Sequence, residues 1–289
     1  MARRSRRSLE DFTKEIKLET FSEGIDLLDD TNLPPWQPLI DLKTKRPYTF
    51  HAFVDRFMPA IEPRWKGFDE AASFMAAHME DAVNGRDQRY AFIPPPRAGK
   101  SLLGVALWIF NLTVVDGSQP VLFISASTQL ATSHARKALK LFQATGNMLS
   151  PKSASVTSWM PDWSGGAEQA ARGATSKVQG LGFGLGILDD ACGGRPATQS
   201  SAHMEQIWSA YTSDWTSRGQ LGASGKGNNL VVIEQRLSNQ DLMQRIIDHE
   251  NLAAKRGGGT PYHVIHLPIE HPHDLGAAST VGRLSPGER

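Results

Sequence analysis

The chain has 289 residues, 40% of them hydrophobic and 21% charged, and its 31 Lys and Arg nearly cancel its 30 Asp and Glu, for a formal net charge of +1. That is enough apolar material for one large α/β core with extensions, and the balance leaves any nucleic-acid contact to a local patch rather than a global basic bias. The single cysteine, Cys192, excludes an intramolecular disulfide; no apolar run reaches the roughly 18 residues of a membrane span and no apolar core follows the N-terminal arginines, so the expected protein is soluble and intracellular.

Residues 1–8 form a basic tail with Arg3, Arg4, Arg6 and Arg7, suited either to solvent or to DNA phosphates through counterion release. An amphipathic stretch and a proline-containing connector over residues 29–38 follow. Helical spacing runs through residues 50–85, where Phe53, Phe57, Phe68, Ala72, Met75, Ala76, Met79 and Val83 recur at three- and four-residue steps. His78 on the second of these helices is most simply a packed or exposed helix residue.

Residues 90–93 predict a short strand, stopped by prolines, after which Gly99, Lys100 and Ser101 open an apolar helix over residues 102–110. Strand, tight loop and helix N-terminus are the parts of a phosphate cradle. Free amides and the helix dipole favour an anion, Lys100 adds a mobile charge, and the Ser101 hydroxyl can hold magnesium. Pro94 stands where the usual P-loop has its first glycine, so Gly-Lys-Ser alone is a weak signal. It gains a partner in Leu185-Gly186-Ile187-Leu188-Asp189-Asp190, an apolar run ending in two carboxylates. In a P-loop ATPase the first carboxylate orients magnesium and the next polarises the attacking water; the plain alternative is a buried strand with an Asp-Asp turn. This second strand is expected beside the first.

Between them, residues 119–125 predict a strand, and residues 128–146 a helix capped by Ser127 or Thr128, with Arg136, Lys137 and Lys140 on its polar side. Residues 150–166, with Trp159 and Trp163, look like a loop excursion or short hairpin, followed by glycine-spaced chain up to the carboxylate strand. Cys192 is expected as a small buried thiol. Residues 198–215 predict one helix with Met204, Ile207, Trp208, Tyr211 and Trp215 facing inward, and residues 230–233 another strand, whose polar tip over residues 234–238 is placed to report nucleotide state. A helix then runs from residue 239 to 249. Alternating strands and helices argue for a mostly parallel central sheet flanked by helices, an α/β P-loop fold with a helical N-terminal extension. His263, His266, His271, His273 and Asp274 have spacing too loose for a metal site.

Taken in order, these motifs resemble the N-terminal packaging ATPase of the large terminase subunits of tailed double-stranded DNA bacteriophages, a RecA-like (ASCE) P-loop fold. The most specific part is Pro95-Pro96-Arg97-Ala98-Gly99-Lys100-Ser101, which is similar to that family's deviant Walker A, preceded by His78 and Arg89. Phe123 to Ser127 resembles its second strand, Ile187 to Asp190 its Walker B, and Val231 to Ser238 with Asp241, Leu242 and Arg245 its coupling segment. The resemblance divides the chain into an N-terminal extension over residues 1–49, an ATPase domain over 50–268 and a connector over 269–289 toward a nuclease domain.

The resemblance implies an ATP-hydrolysing motor that uses ATP and Mg2+ to drive double-stranded DNA through a portal protein into a procapsid, in the host cytoplasm, as a ring, by family resemblance a pentamer, working with a small terminase subunit. It assigns Pro95 to Ser101 to the phosphates, Lys100 to the terminal phosphates, Ser101 and Asp189 to magnesium, Asp190 to catalysis, and Gln235, Arg236 and Ser238 to coupling. Arg218 would be a finger reaching a neighbouring subunit. The chain departs from the family where Asp190 replaces a glutamate, Leu181 an arginine, and Gln235 and Leu237 a Thr and a Trp. A superfamily 2 helicase or a nucleotide-gated clamp without appreciable turnover are the competing readings.

Overall fold

The computed structural model describes residues 35–95, 98–153, 155–163, 165–178, 180–258 and 262–267. The basic tail, the cradle positions Pro96 and Arg97, the connector over 269–289, and His271, His273 and Asp274 lie outside the described residues. The chain divides into units 1–33 and 34–289, and every described residue belongs to the second.

A small antiparallel pair, β1 (Ile40–Asp41) and β2 (Arg46–Pro47), leads into helices α1 (Phe50–Phe57) and α2 (Glu70–Asn84). Each helix starts where the sequence supplies an oxygen for its free amides. Thr49 Oγ1 accepts from Ala52 N at 3.2 Å, and Asp69 Oδ1 from Ala72 N at 2.7 Å. After them come β3 (Arg89–Ile93), α3 (Lys100–Phe110), β4 (Val121–Ser125), α4 (Thr128–Ala144), β5 (Ser158–Trp159), β6 (Gln169–Gly173) and β7 (Leu185–Asp189). The rest is α5 (Arg195–Thr198), α6 (Ser201–Ser209), β8 (Asn229–Ile233), α7 (Leu242–Lys255) and β9 (His263–His266).

Seven strands form one sheet in the order β5-β6-β4-β7-β8-β3-β9, parallel throughout except for β5. The expected α/β class is what the chain adopts. Strand alternation divides the core into two layers. Tyr90, Phe92, Val121, Phe123, Leu185, Ile187, Val231 and Ile233 face α1 to α4, while Ala91, Ile93, Leu122, Ile124, Leu188, Leu230 and Val232 face α6 and α7. Helix α3 lies very close to the sheet, since a Cβ on Gly104 would stand 3.1 Å from Ile233 Cδ1.

Three expectations change in detail. The carboxylate strand β7 is not beside the cradle strand β3, because β8 is inserted between them and pairs with both. The helix expected over 198–215 is divided among α5, α6 and a π-helical turn over Ala210–Trp215. The loop excursion holds β5, and Trp159 and Trp163 are buried. The inward stripe holds, with Met204, Ile207, Tyr211 and Trp215 buried.

Candidate functional site

In a parallel sheet every strand ends on the same edge, so β3, β4, β7 and β8 deliver their C-terminal residues to one crevice. The turn after β3 reaches Gly99, whose φ of +69° is the left-handed conformation glycine adopts without strain and which has open space where a side chain would be. Helix α3 begins at the next residue, with its first amides toward the crevice and the carbonyl of Gly99 accepting from Leu103 N at 3.1 Å.

Lys100 is buried, and its Nζ is held by Asp190 Oδ1. Asp190 sits at φ +47°, and its amide donates to Ile233 O at 2.9 Å, so the backbone after β7 is pinned to β8 while the side chain turns toward Lys100. Asp189 is fully buried, and neither carboxylate oxygen has a hydrogen-bond partner. Burial pushes its carboxyl up to about 7; the nearby Ser101 hydroxyl lowers it, though outside hydrogen-bonding geometry, and Asp190 raises it. A carboxyl so placed, with a hydroxyl beside it and a further acid adjoining, suits a hard divalent cation such as magnesium. Lys100, Ser101, Asp189 and Asp190 thus converge, whereas Pro95 sits at the base of the turn with its carbonyl 3.4 Å from Ala98 N.

Other expected residues lie elsewhere. Arg89 starts β3, at the edge opposite the crevice, and donates to the carbonyls of Asn228 and Gln88. His78 packs against Phe74. Arg218 stands at the same far edge as Arg89. Its carbonyl accepts from Phe183 N at 3.0 Å, two residues before β7, and its guanidinium is 3.6 Å from Asp214. Six residue steps of extended chain separate Phe183 from Asp189, roughly 20 Å. Arg218 therefore takes no part in this crevice.

The segment after β8 is a tight loop. Asp241, fully buried, accepts from Leu237 N at 2.9 Å, Ser238 N at 3.0 Å and Gln244 N at 2.9 Å, and stands 3.7 Å from Arg236 Nε. Arg236, Leu237 and Ser238 are thus gathered around Asp241, in the loop that follows the carboxyl end of β8. The loop is tied to the chain after the carboxylates, because Cys192 N donates to Glu234 Oε1 at 3.0 Å and Leu242 N approaches Cys192 Sγ at 3.2 Å. Burial pushes Glu234 up to about 8, the Cys192 amide opposing it, and burial also pushes the Cys192 thiol up. Cys192 is the buried thiol expected.

One site residue, His134, escapes a reading of the sequence, and another, Glu234, is singled out there only as part of the polar tip after β8. Glu234 continues a buried strand, where a carboxylate is unusual enough to have been a signal. His134 lies on the inward face of α4, in phase with Ala131, Ala135 and Ala138, a polar residue within an apolar stripe. Its Nδ1 is 3.1 Å from Ser125 Oγ and 3.6 Å from Asp189 Oδ2. Burial, with Lys137 nearby, lowers it to about 4, so the ring is neutral near pH 7 and its approach to Asp189 is not an ion pair.

The raised carboxyl of Asp189 has a measurable consequence. A metal ion requires the carboxylate, whereas below pH 7 the free site holds a proton, so binding at pH 6 releases close to one proton and binding at pH 9 almost none. Calorimetry of Mg·ADP binding in two buffers of different ionisation enthalpy is expected to give different heats at pH 6 and equal heats at pH 9.

No protein-family model and no curated protein matches the sequence. Among solved structures, the large terminase of bacteriophage HK97 matches with a TM-score of 0.50 at 18% identity, over 77% of this chain and 44% of that one. A variant of the ATPase domain of the Thermus phage P74-26 large terminase matches with a TM-score of 0.41 at 13% identity, over 74% of this chain and 85% of that one. The match thus spans less than half the length of the HK97 protein. Among the described residues no helix is long and apolar enough to cross a membrane. With a seven-stranded, mostly parallel sheet and the cradle strand separated by one strand from the carboxylate strand, the chain has the fold of a large-terminase ATPase domain.

Proposed function

We propose that this chain is the ATPase of a phage DNA-packaging motor, hydrolysing ATP to move double-stranded DNA through a portal into a procapsid. The observation that carries the reading is the convergence of Lys100, Ser101, Asp189 and Asp190 at the carboxyl edge of the sheet, with Asp189 buried and unpartnered. Ser101 and Asp189 would hold magnesium, which when bound supplies charge neutralisation to the phosphates. Lys100 leaves Asp190 to meet the terminal phosphates, and the amides at the start of α3 take the remaining charge. Freed from Lys100, Asp190 accepts hydrogen bonds from the attacking water and aligns it.

After hydrolysis the chain that follows Asp190 can pass the change outward. Cys192 is bonded to Glu234 and Leu242, so a shift of Asp190 reaches both the loop of Gln235, Arg236 and Ser238 and the start of α7. In a ring, Arg218, far from its own crevice, would leave Asp214 to approach another subunit's. The portal and small terminase subunit are the partners this reading implies.

Steady-state ATP hydrolysis across a range of chain concentrations, with and without duplex DNA, tests the reading. The rate per chain is expected to rise with concentration and with duplex. Separation of a short duplex would favour a helicase, and ATP binding without turnover under any condition would favour a clamp.

A further inference from the structure

Resting on the reading that Asp189 holds magnesium, we propose that His134 is a positioning residue for that carboxylate, its Nδ1–H holding Oδ2 so that Oδ1 faces the metal. The need for such a residue follows from burial. Both oxygens of Asp189 are without hydrogen-bond partners, and a carboxylate that nothing orients would have to be ordered by the metal itself. Ser101 approaches from the cradle side. The ring of His134 comes from α4, on the same face of the sheet as α3.

The ring has few ways to move. It is 5% exposed and packs edge to face against Phe123 at 5.3 Å. Its Nδ1 stands 3.1 Å from Ser125 Oγ, and Ser125 is the register partner of Asp189 across the β4 and β7 pair. At 3.6 Å from Oδ2 the nitrogen is just beyond hydrogen-bonding range, a gap that a small rotation of the carboxyl would close. The neutral ring has one N–H, and on Nδ1 it faces both oxygens. Ser125, His134 and Asp189 do not form a nucleophilic triad, because serine and aspartate meet the same nitrogen and Ser125 is fully buried.

Substitution of a group that orients a metal ligand lowers metal affinity by about 10- to 100-fold. The test is Mn2+ binding to the full chain with ADP, followed by electron paramagnetic resonance. His134→Leu is expected to weaken Mn2+ binding by that factor while leaving ADP affinity in EDTA unchanged. His134→Asn, whose side-chain amide nitrogen falls near the Nδ1 position, is expected to restore it to within a few-fold. Unchanged Mn2+ affinity in His134→Leu, or equal weakness in His134→Asn, would overturn the proposal. Should the leucine variant not fold, 15N spectra of the histidine tautomers in the unsubstituted chain decide. A proton on Nδ1 of His134 supports the role and a proton on Nε2 overturns it. If the unsubstituted chain binds no Mn2+ with ADP, the magnesium reading of Asp189 falls first, before any variant is compared.

Discussion

Lys100→Ala is expected to lower ATP turnover by about 10²- to 10³-fold or more, the usual cost of removing one preorganised group that meets developing charge, and to weaken nucleotide binding as well. The fold should hardly notice. Asp190, the lysine's partner, is partly exposed and can take water in place of the ammonium, and a partly solvated pair contributes little to stability. The complementary variant separates binding from chemistry. Asp190→Asn removes the negative charge that holds Lys100 in the nucleotide-free chain and leaves only a neutral amide oxygen, so the lysine is released more readily toward phosphate. Nucleotide binding should hold or tighten several-fold while turnover falls by a similar two to three orders of magnitude. Steady-state hydrolysis, fluorescent-ADP titration and a thermal melt on both variants check all of these. Full turnover in Asp190→Asn would move the catalytic carboxylate elsewhere, and Glu234, buried at the tip of β8, is the acid next in place.

How much of this was legible in the sequence depended on which forces hold each element. The strands of the central sheet announce themselves, because β3, β4, β7 and β8 are buried on both faces and carry polar residues only at their ends. Their lateral order does not. Sequence order places β7 after β4 but carries no sign that β8 comes back to lie between β7 and β3, since that is fixed by crossover handedness and by which strand edges remain free. Strand β6 was hidden because Gln169-Ala170-Ala171-Arg172-Gly173 has no β-branched residue. It extends because β4 offers five residues of pairing, and because a Cβ on Gly173 would stand 2.6 Å from Thr128 N, so only glycine lets α4 start so near. At the site, Lys100, Ser101, Asp189 and Asp190 were legible because each belongs to a local motif. His134 was not, because its partner Asp189 is on another strand and the helix that carries it is recognised by its polar side. Helix spacing did not show the break after Ser209, where a π-helical turn carries Tyr211 and Trp215 into the core.

The helix that begins at the cradle is held down at its far end, and Trp108→Ala is expected to show how firmly. Trp108 is fully buried, stacked at 5.5 Å on Phe123 of β4 and at 5.8 Å on Trp159 of β5, and its Nε1 donates to Gln169 Oε1 of β6 at 2.8 Å. One side chain thus ties α3 to three strands. Truncation to alanine leaves a cavity, at about 3–5 kcal/mol, and strips buried Gln169 Oε1 of its donor, at about 1–3 kcal/mol. Partial collapse offsets some of this, so the expected loss is about 5 kcal/mol, a large share of the stability of any single domain. At roughly 2–4 °C per kcal/mol the melting temperature should fall by about 10–20 °C. Trp108→Phe keeps an aromatic ring in the stack but loses the N–H donor and part of the indole's volume, so it should cost somewhat more than the roughly 1–3 kcal/mol of the lost donor alone and less than Trp108→Ala. Chemical denaturation of the two variants checks both values. The same variants also bear on function, because Lys100 is at the first turn of α3 and Trp108 two turns further on. If the cradle is positioned by the seating of its helix, Trp108→Phe should retain nucleotide affinity, while Trp108→Ala, measured at a temperature where it is still folded, should lose affinity without any change to a residue of the crevice. Equal affinity in the two would mean that Gly99 and the Lys100 to Asp190 contact position the cradle without help from the far end of the helix.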